Sequence, residues 1–448
     1  RLPFDILHRV MSVQPSTGQI SQRVAVKSSP RIGLYLRRIV KWAAVLAICF
    51  TFLGAGAVDA FLGTRQAIDM AAHPWAWNIF SWEVGAIGQK LGEGLRDPAQ
   101  IYPAEERPDL VRRYLDMASQ TGKLEREIDG IYASRGGQAP VESTALQAQL
   151  DALRAEKEAL RPAVEVILEA QIGREVVAEG IDWLGGPFPP VWFTFTEPPK
   201  KLVVSPRGRI TTAHYAMLQP DVSAAEREAI EESVLRDQNL SAYVTNIGGL
   251  GAFPTQVIDR APLNWVLTTI AHEWVHNYLT LFPLGLHYNL SSDLTIMNET
   301  VADIVGDELG LRALESYYPD EAAAFAAEEA ASSDPDAPPP AFDFRTEMRH
   351  TREITDQFLA LGRIEDAEEY MEIRRLLFVE HGYDIRKLNQ AYFAFHGSYG
   401  TGAAATSPIG PKLEELRSLV PDVRTFLQTV RGFTVPEDID RALAELRS

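Results

Sequence analysis

Residues 268–279 read TTIAHEWVHNYL. His272 and His276 are four positions apart, so a helix would place both imidazoles on one face. Glu273 follows the first histidine, where its carboxylate can reach a water molecule bound by the same metal ion. Uncharged residues surround these three, which predicts a helix that crosses the interior of a domain. A pair of buried core histidines is the alternative interpretation, because the motif also arises by chance.

A second stretch, residues 296–310, reads IMNETVADIVGDELG. A catalytic zinc takes three protein ligands and keeps one position open, so Glu299 is the candidate third ligand. Asp303 lies one turn later, where it can accept the outer N–H of a ligand histidine. An acidic surface is the alternative. However, apolar residues flank both acids, and acids that face an apolar interior need a cation.

The two motifs together resemble those of the gluzincin metallopeptidases, the clan of thermolysin and aminopeptidase N. This resemblance covers residues 272–303. It implies a zincin-like fold and one catalytic zinc ion bound by His272, His276 and Glu299, with Glu273 as the general base. It also implies that the substrate is a peptide or a protein.

Gluzincins bind the substrate backbone along an edge strand upstream of the active-site helix. The matching stretch here is AYVTNIGGLGAFPT, residues 242–255. Gly249 and Gly251 would let a peptide approach closely, and a flexible loop is the alternative. The stretch has no acid before Asp259, whereas aminopeptidases of the clan use a glutamate there. The resemblance therefore favours an endopeptidase.

A tyrosine or histidine donor usually stabilises the oxyanion of the transition state. Tyr392, His396 and Tyr399 fall near one face of a helix predicted over residues 385–395. Among them we favour Tyr392 or His396 as the donor. A structural role is the alternative for each of the three.

The composition narrows the class of protein. With 448 residues, 46% of them hydrophobic and 23% charged, the chain is typical of a globular protein. Its net charge of -18 argues against binding to nucleic acid, which requires a basic surface. Cys49 is the single cysteine, so a bound metal must take its ligands from His, Asp and Glu.

The N-terminal region predicts a membrane protein. Residues 1–41 are strongly basic, and residues 42–58 carry no charge. We predict a cytoplasmic basic tail over 1–41 and a transmembrane anchor over 42–63, with the rest outside the cytoplasm. A cleaved signal peptide and a buried core helix are the alternatives.

The remaining chain divides by pattern into three parts. We predict a juxtamembrane helical segment over 64–107, an antiparallel helical hairpin over 108–180 and a zinc metallopeptidase domain over 181–448. A coiled-coil-like leucine spacing predicts the hairpin, although Lys157 interrupts the seam. The hairpin could bind a protein partner or serve as plain structure. In the last part, short strands precede helices predicted at 262–281, 294–315, 343–361, 364–380, 385–395 and 411–431.

The predicted fold class is α+β, with a small mixed sheet, a mostly helical C-terminal part, a helical hairpin and one transmembrane helix. The predicted function is a single-pass membrane peptidase that uses a zinc-activated water outside the cytoplasm. Two alternatives stay open. One is a non-catalytic anchored scaffold with a structural or vestigial metal site, and the other is a zinc hydrolase of a non-peptide amide.

Overall fold

A computed structural model describes residues 64–134, 141–332, 342–399 and 406–447. The structure is 68% helical. The α-helices, in chain order, are α1 Thr64–Ala72, α2 Ile79–Arg96, α3 Arg107–Ser134, α4 Val141–Ala178, α5 Ala224–Gln238, α6 Leu263–Leu279, α7 Pro283–Leu286, α8 Ser292–Tyr317, α9 Pro319–Ser332, α10 Phe344–Ala360, α11 Ile364–Glu380, α12 Gln390–His396, α13 Ile409–Leu419, α14 Val423–Val430 and α15 Glu437–Arg447.

The strands are short and form three small sheets. They are β1 Asp182–Trp183, β2 Gly186–Pro187, β3 Phe193–Phe195, β4 Lys200–Pro206, β5 His214–Leu218, β6 Leu240–Thr245, β7 Gly249–Leu250 and β8 Thr255–Val257. Strands β1 and β2 form a hairpin, and β5-β4-β6 is an antiparallel sheet. In the third sheet, β8 pairs parallel with β3 and antiparallel with β7.

The predicted α+β class is wrong, because the protein is predominantly helical. Proline and glycine interrupt the chain between residues 181 and 261, and the longest strand there, β4, has only 7 residues. Long helices on both sides of this region supply most of the core instead. The helix predicted over 411–431 is also wrong. It is two helices, because Pro421 cannot continue α13 and Asp422 caps α14.

No helix among the described residues combines the length and the apolar composition that a membrane span needs. The predicted basic tail over 1–41 and the predicted anchor over 42–63 lie outside the described residues. The tryptophans after the predicted anchor belong to folded structure. For example, Trp75 donates a hydrogen bond to Glu226 Oε1 at 3.0 Å, at the start of α5.

The main core surrounds α6, which is apolar on nearly every face. Helices α4 and α8 pack on it, and Trp274 donates a hydrogen bond from its buried indole to the carbonyl oxygen of Pro189 at 2.9 Å. The largest side chains of this core have almost no solvent exposure, among them Tyr114, Phe193, Leu168, Ile172, Trp274 and Tyr318. Burial of this kind stabilises the fold by about 1.5–3 kcal/mol per large side chain.

Helices α3 and α4 pack against each other across the stretch predicted as a hairpin. Part of their apolar seam, including Leu110, Tyr114, Val164 and Ile167, belongs to the same core as α6 and α8. Lys157, which interrupts the seam in the sequence, pairs with Asp259 at 2.6 Å, just before α6 begins. Tyr114 donates a hydrogen bond to the same carboxylate at 3.1 Å. The polar break in the seam therefore attaches the two long helices to the start of α6.

The β5-β4-β6 sheet has helices on both faces. One face packs Leu202 and Val204 against α1 and α5. The opposite face packs Val203 against Ala391 and Phe395 of α12. Side chains alternate between the two faces of a strand, so Lys201 lies on the same face as Val203, towards α12.

Candidate metal centre

Helices α6 and α8 cross closely because α8 has glycines where they meet. A Cβ added to Gly306 would lie 2.8 Å from His272 Cβ, and one added to Gly310 would lie 2.5 Å from Thr268 Cα. Such separations leave no room for any side chain. Gly306 faces His272 and Gly310 faces Thr268, so the two helices run antiparallel. Their close approach brings the histidines of α6 next to Glu299 of α8.

The three predicted metal ligands converge on one point. His272 Nε2 and His276 Nε2 are 3.1 Å apart, and each lies 3.6 Å from Glu299 Oε2. These three side chains could hold a metal ion. Glu299 is buried, and both histidines are largely buried, so a bound ion would be shielded from bulk water.

Polar partners fix both imidazole rings from behind. Asp303 Oδ1 lies 3.0 Å from His272 Nδ1, the position expected from the sequence. Asn298 Oδ1 lies 2.7 Å from His276 Nδ1, and the Asn298 amide donates to the carbonyl oxygen of Leu284 at 3.3 Å. Protons on the two Nδ1 atoms would leave both Nε2 lone pairs directed at the metal. The second of these partners was not identified from the sequence.

Glu299 has a partner of its own. The hydroxyl of Tyr288 donates a hydrogen bond to Glu299 Oε1, which leaves Oε2 as the oxygen nearest the two histidines. Tyr288 comes from the loop between α7 and α8, where the sequence shows only a turn-rich linker. No pattern in that linker predicted this contact.

The charges of this cluster favour bound positive charge. Burial disfavours protonation of His272, but hydrogen bonds to Asp303 and Glu299 outweigh it and raise its pKa well above the ordinary value. Burial also opposes protonation of His276, but the negative charge and hydrogen bond of Glu299 outweigh it and raise the pKa of His276. Burial of Glu299 is in turn outweighed by the two histidines, which hold its pKa well below the ordinary value. The cluster therefore stabilises positive charge between its carboxylate and its two imidazoles.

Glu273 lies beside the ligands but is not one of the three. Its side chain is only 6% exposed. Burial raises the pKa of its carboxyl, although the positive charges of His272, His276 and Lys201 act in the opposite direction. A carboxyl group with a raised pKa can both accept and return a proton near neutral pH.

Strand β7 runs directly over Glu273. A Cβ at Gly249 would overlap Glu273 Oε1, and a Cβ at Gly251 would lie 3.1 Å from His276 Cβ. Any side chain at Gly249 would therefore displace the Glu273 carboxylate. Strand β7 is an edge strand of its sheet, as the sequence resemblance implies for the strand that binds substrate.

The loop after β7 is attached at two points. The backbone N–H of Phe253 donates to Glu83 Oε1 of α2 at 3.1 Å. Asn277 of α6 donates from its side-chain amide to the carbonyl oxygen of Ala252 at 3.3 Å. These contacts hold the glycine-rich stretch against the helix that carries Glu273.

The two favoured oxyanion donors lie among other aromatic rings. Tyr392 packs against Tyr243, with ring centres 5.3 Å apart, and against His396 at 4.2 Å. Burial alone lowers the pKa of His396 to about 4, and the pKa of Tyr392 is raised by burial and by Tyr243. Both shifts thus arise from burial and a neighbouring ring, and not from the charges of the ligand cluster.

The charges of the cluster act on Tyr399, three residues after α12. Burial raises the pKa of Tyr399 well above its ordinary value, and the negative charges of Glu299, Glu273 and Asp303 raise it further. Within the described part of the chain, its hydroxyl makes no hydrogen bond. Tyr399 is therefore a second candidate donor, beside those favoured from the sequence.

Comparisons with protein-family models, with curated proteins and with solved structures found no match to this chain. Its assignment rests on its own residues. The similarity to gluzincins consists of the two motifs, and the structure adds the convergence of their side chains.

Proposed function

We propose that the protein is a zinc-dependent peptidase. The observation that carries this proposal is the convergence of His272, His276 and Glu299 on one point, with the buried carboxylate of Glu273 beside them. A purely structural metal site has no use for a further carboxylate held next to the ligands but outside the set. The glycine-rich edge strand over Glu273 supports a peptide as the substrate.

The donor set and the distances fit zinc. Two histidines and one glutamate are a known ligand set of catalytic zinc, which keeps its fourth position open. Two ligand atoms each about 2.0–2.1 Å from a tetrahedral zinc lie about 3.3 Å apart. The three separations here, 3.1, 3.6 and 3.6 Å, lie on both sides of that value. Small side-chain adjustments would complete the site.

In this proposal Glu273 transfers the protons of the reaction. Zinc bound here would lower the pKa of a water molecule and polarise the amide carbonyl of the substrate. Glu273 accepts a proton from the attacking water and passes it to the nitrogen of the leaving amine. Its burial keeps competing solvent away from this proton. Strand β7 aligns the substrate backbone by hydrogen bonds along its open edge.

Tyr399 is the donor that we propose for the oxyanion, in place of Tyr392 or His396. The Tyr399→Phe variant is expected to lower kcat by about 10²-fold, because it removes one donor that acts mainly in the transition state. The zinc content should not change. Peptide turnover and metal analysis of the purified variant measure both quantities.

Tyr392→Phe is the matched control, since it removes the same hydroxyl from a ring that packs on Tyr243 and His396. Its kcat should stay within about twofold of wild type, as for most changes away from the reacting atoms. If Tyr399→Phe kept full activity and Tyr392→Phe lost most of its kcat, Tyr392 would be the oxyanion donor, as favoured from the sequence.

The direct test of the proposed function is cleavage of a mixed peptide library by the zinc-loaded chain, with products identified by mass spectrometry. New peptide ends that depend on zinc would support the peptidase. One zinc per chain without any cleavage would contradict it. That second outcome would favour a scaffold with a vestigial site or a hydrolase of a non-peptide amide. The predicted membrane anchor stays a prediction that this assay does not address.

A further inference from the structure

Lys201 is a cation that the sequence did not assign to the site. It lies on β4, paired with Thr245 of β6 and with Met217 of β5. Its ammonium group lies 5.1 Å from the ring centre of Tyr215 and 5.6 Å from that of Phe395. Burial lowers the pKa of Lys201, while the charges of Glu299 and Glu273 oppose that shift. The ring of Tyr215 also connects Lys201 with the ligand cluster, because its hydroxyl is bonded to Asn289 and the adjacent Tyr288 donates to Glu299.

Within the described part of the chain, Lys201 has no carboxylate at ion-pairing distance. Two other shielded lysines are paired with carboxylates, and the buried Lys200 donates to the carbonyl oxygen of Pro220. Lys90 lies 2.6 Å from Glu165 and 2.9 Å from Glu169, and Lys157 lies 2.6 Å from Asp259. Burying an unpaired ammonium group is unfavourable, so such a group in a site indicates an anion that arrives with a ligand.

Glu299 and Glu273, the acids whose charges act on Lys201, have other roles in the proposed mechanism. Glu299 would be engaged by the metal, and Glu273 is placed to exchange protons with water and the leaving amine. Tyr215, whose ring lies against the ammonium group, accepts a hydrogen bond from Asn289 at 3.1 Å. The two rings next to the ammonium group are thus uncharged, and the charges that act on it are those of Glu299 and Glu273.

We propose that Lys201 binds a carboxylate of the peptide substrate next to the scissile bond, an inference that rests on the proposed peptidase function. A peptide at neutral pH offers this group from two sources, its C-terminus and the side chain of Asp or Glu. Binding to either source would restrict the enzyme to substrates with a negative charge at a fixed distance from the reacting carbonyl.

The test uses one random pentapeptide library, synthesised with free and with amidated C-termini. We expect wild type to cleave the free-acid form at least about tenfold faster, the usual effect of a hydrogen bond to a charged group. If the charge comes from a side chain, the same preference appears within the amidated library for Asp and Glu over Asn and Gln. In Lys201→Met either preference should fall to about one.

Lys201→Arg retains the charge and should retain part of the preference, whereas Lys123→Met removes an exposed lysine and should retain all of it. A wild-type enzyme that cleaves peptides without any preference for a carboxylate would overturn the proposal. An equal loss of turnover on every peptide in Lys201→Met would also overturn it, because Lys201 would then act on the oxyanion.

A binding measurement separates this inference from the proposed function. Acetyl-trialanine and its C-terminal amide are titrated by calorimetry into the zinc-loaded Glu273→Gln chain, with and without Lys201→Met. Acetyl-trialanine with a glutamate at its amidated end serves as the third probe. Binding that needs a carboxylate and is lost in Lys201→Met supports the lysine even if no peptide is cleaved. Equal affinity for all three probes contradicts it even if the protein proves to be a peptidase.

Discussion

The Glu273→Gln variant is expected to lose about 10³-fold or more in kcat while it still binds one zinc ion per chain. The amide keeps the size of the side chain but cannot accept the proton of the attacking water. Glu273 lies outside the three converging ligands, so the metal site itself should be unaffected. Turnover on the peptide library and metal analysis of the same preparation measure the two effects.

Glu315→Gln is a suitable control, because it makes the same exchange at an exposed position of α8. It should behave as wild type in both measurements. Glu273→Gln with more than about a tenth of the wild-type kcat would exclude Glu273 as the main base, since such bases contribute about 10²–10⁴-fold. Loss of zinc in this variant would instead make Glu273 a ligand.

The Glu299→Ala variant is expected to bind zinc more than about 100-fold more weakly and to lose cleavage with it. Loss of an outer partner of a ligand already costs about 10–100-fold in affinity, and loss of the ligand itself should cost more. The substitution also removes the buried negative charge opposite the two histidines. Competition with a zinc-binding dye measures the affinity.

Wild type treated with a chelator provides the comparison for that variant. Its cleavage should stop when zinc is removed and return when zinc is added, whereas Glu299→Ala should recover only at a much higher zinc concentration. Unchanged zinc affinity in Glu299→Ala would show that the third ligand is another group. Asp303, at 3.0 Å from His272, would then be the first residue to examine.

The sequence by itself determined the local parts of this site. His272, Glu273 and His276 are positioned by one helix, whose periodicity fixes which face each side chain occupies. Helix α8 follows from the same argument, and the structure extends it over Ser292–Tyr317, slightly beyond the predicted 294–315. To predict that Glu299 lies near the histidines, one must also assume that α8 runs back alongside α6. The apolar residues around Glu299 supported this assumption, because they indicate that it faces the interior.

The fold class could not be predicted in the same way. Strands are stabilised by neighbours that lie far away in sequence, and short aromatic runs between prolines do not show how many strands will pair. The leucine spacing likewise predicted the two long helices α3 and α4 but not how they pack on the rest of the protein. Only the tertiary structure shows that part of their seam belongs to the core around α6 and that Lys157 pairs with Asp259 just before this helix.

The outer residues of the site were decided by tertiary structure alone. Tyr288 contacts Glu299 from a loop, and the charge of Glu299 acts on Lys201 of β4 and on Tyr399 after α12. These three residues have no fixed sequence spacing from the motif on α6, and sequence periodicity relates only residues within one element. Whether the charges of the site act on Tyr392 or on Tyr399 depends on how α12 packs on the sheet, and this packing is set by side chains distant in sequence.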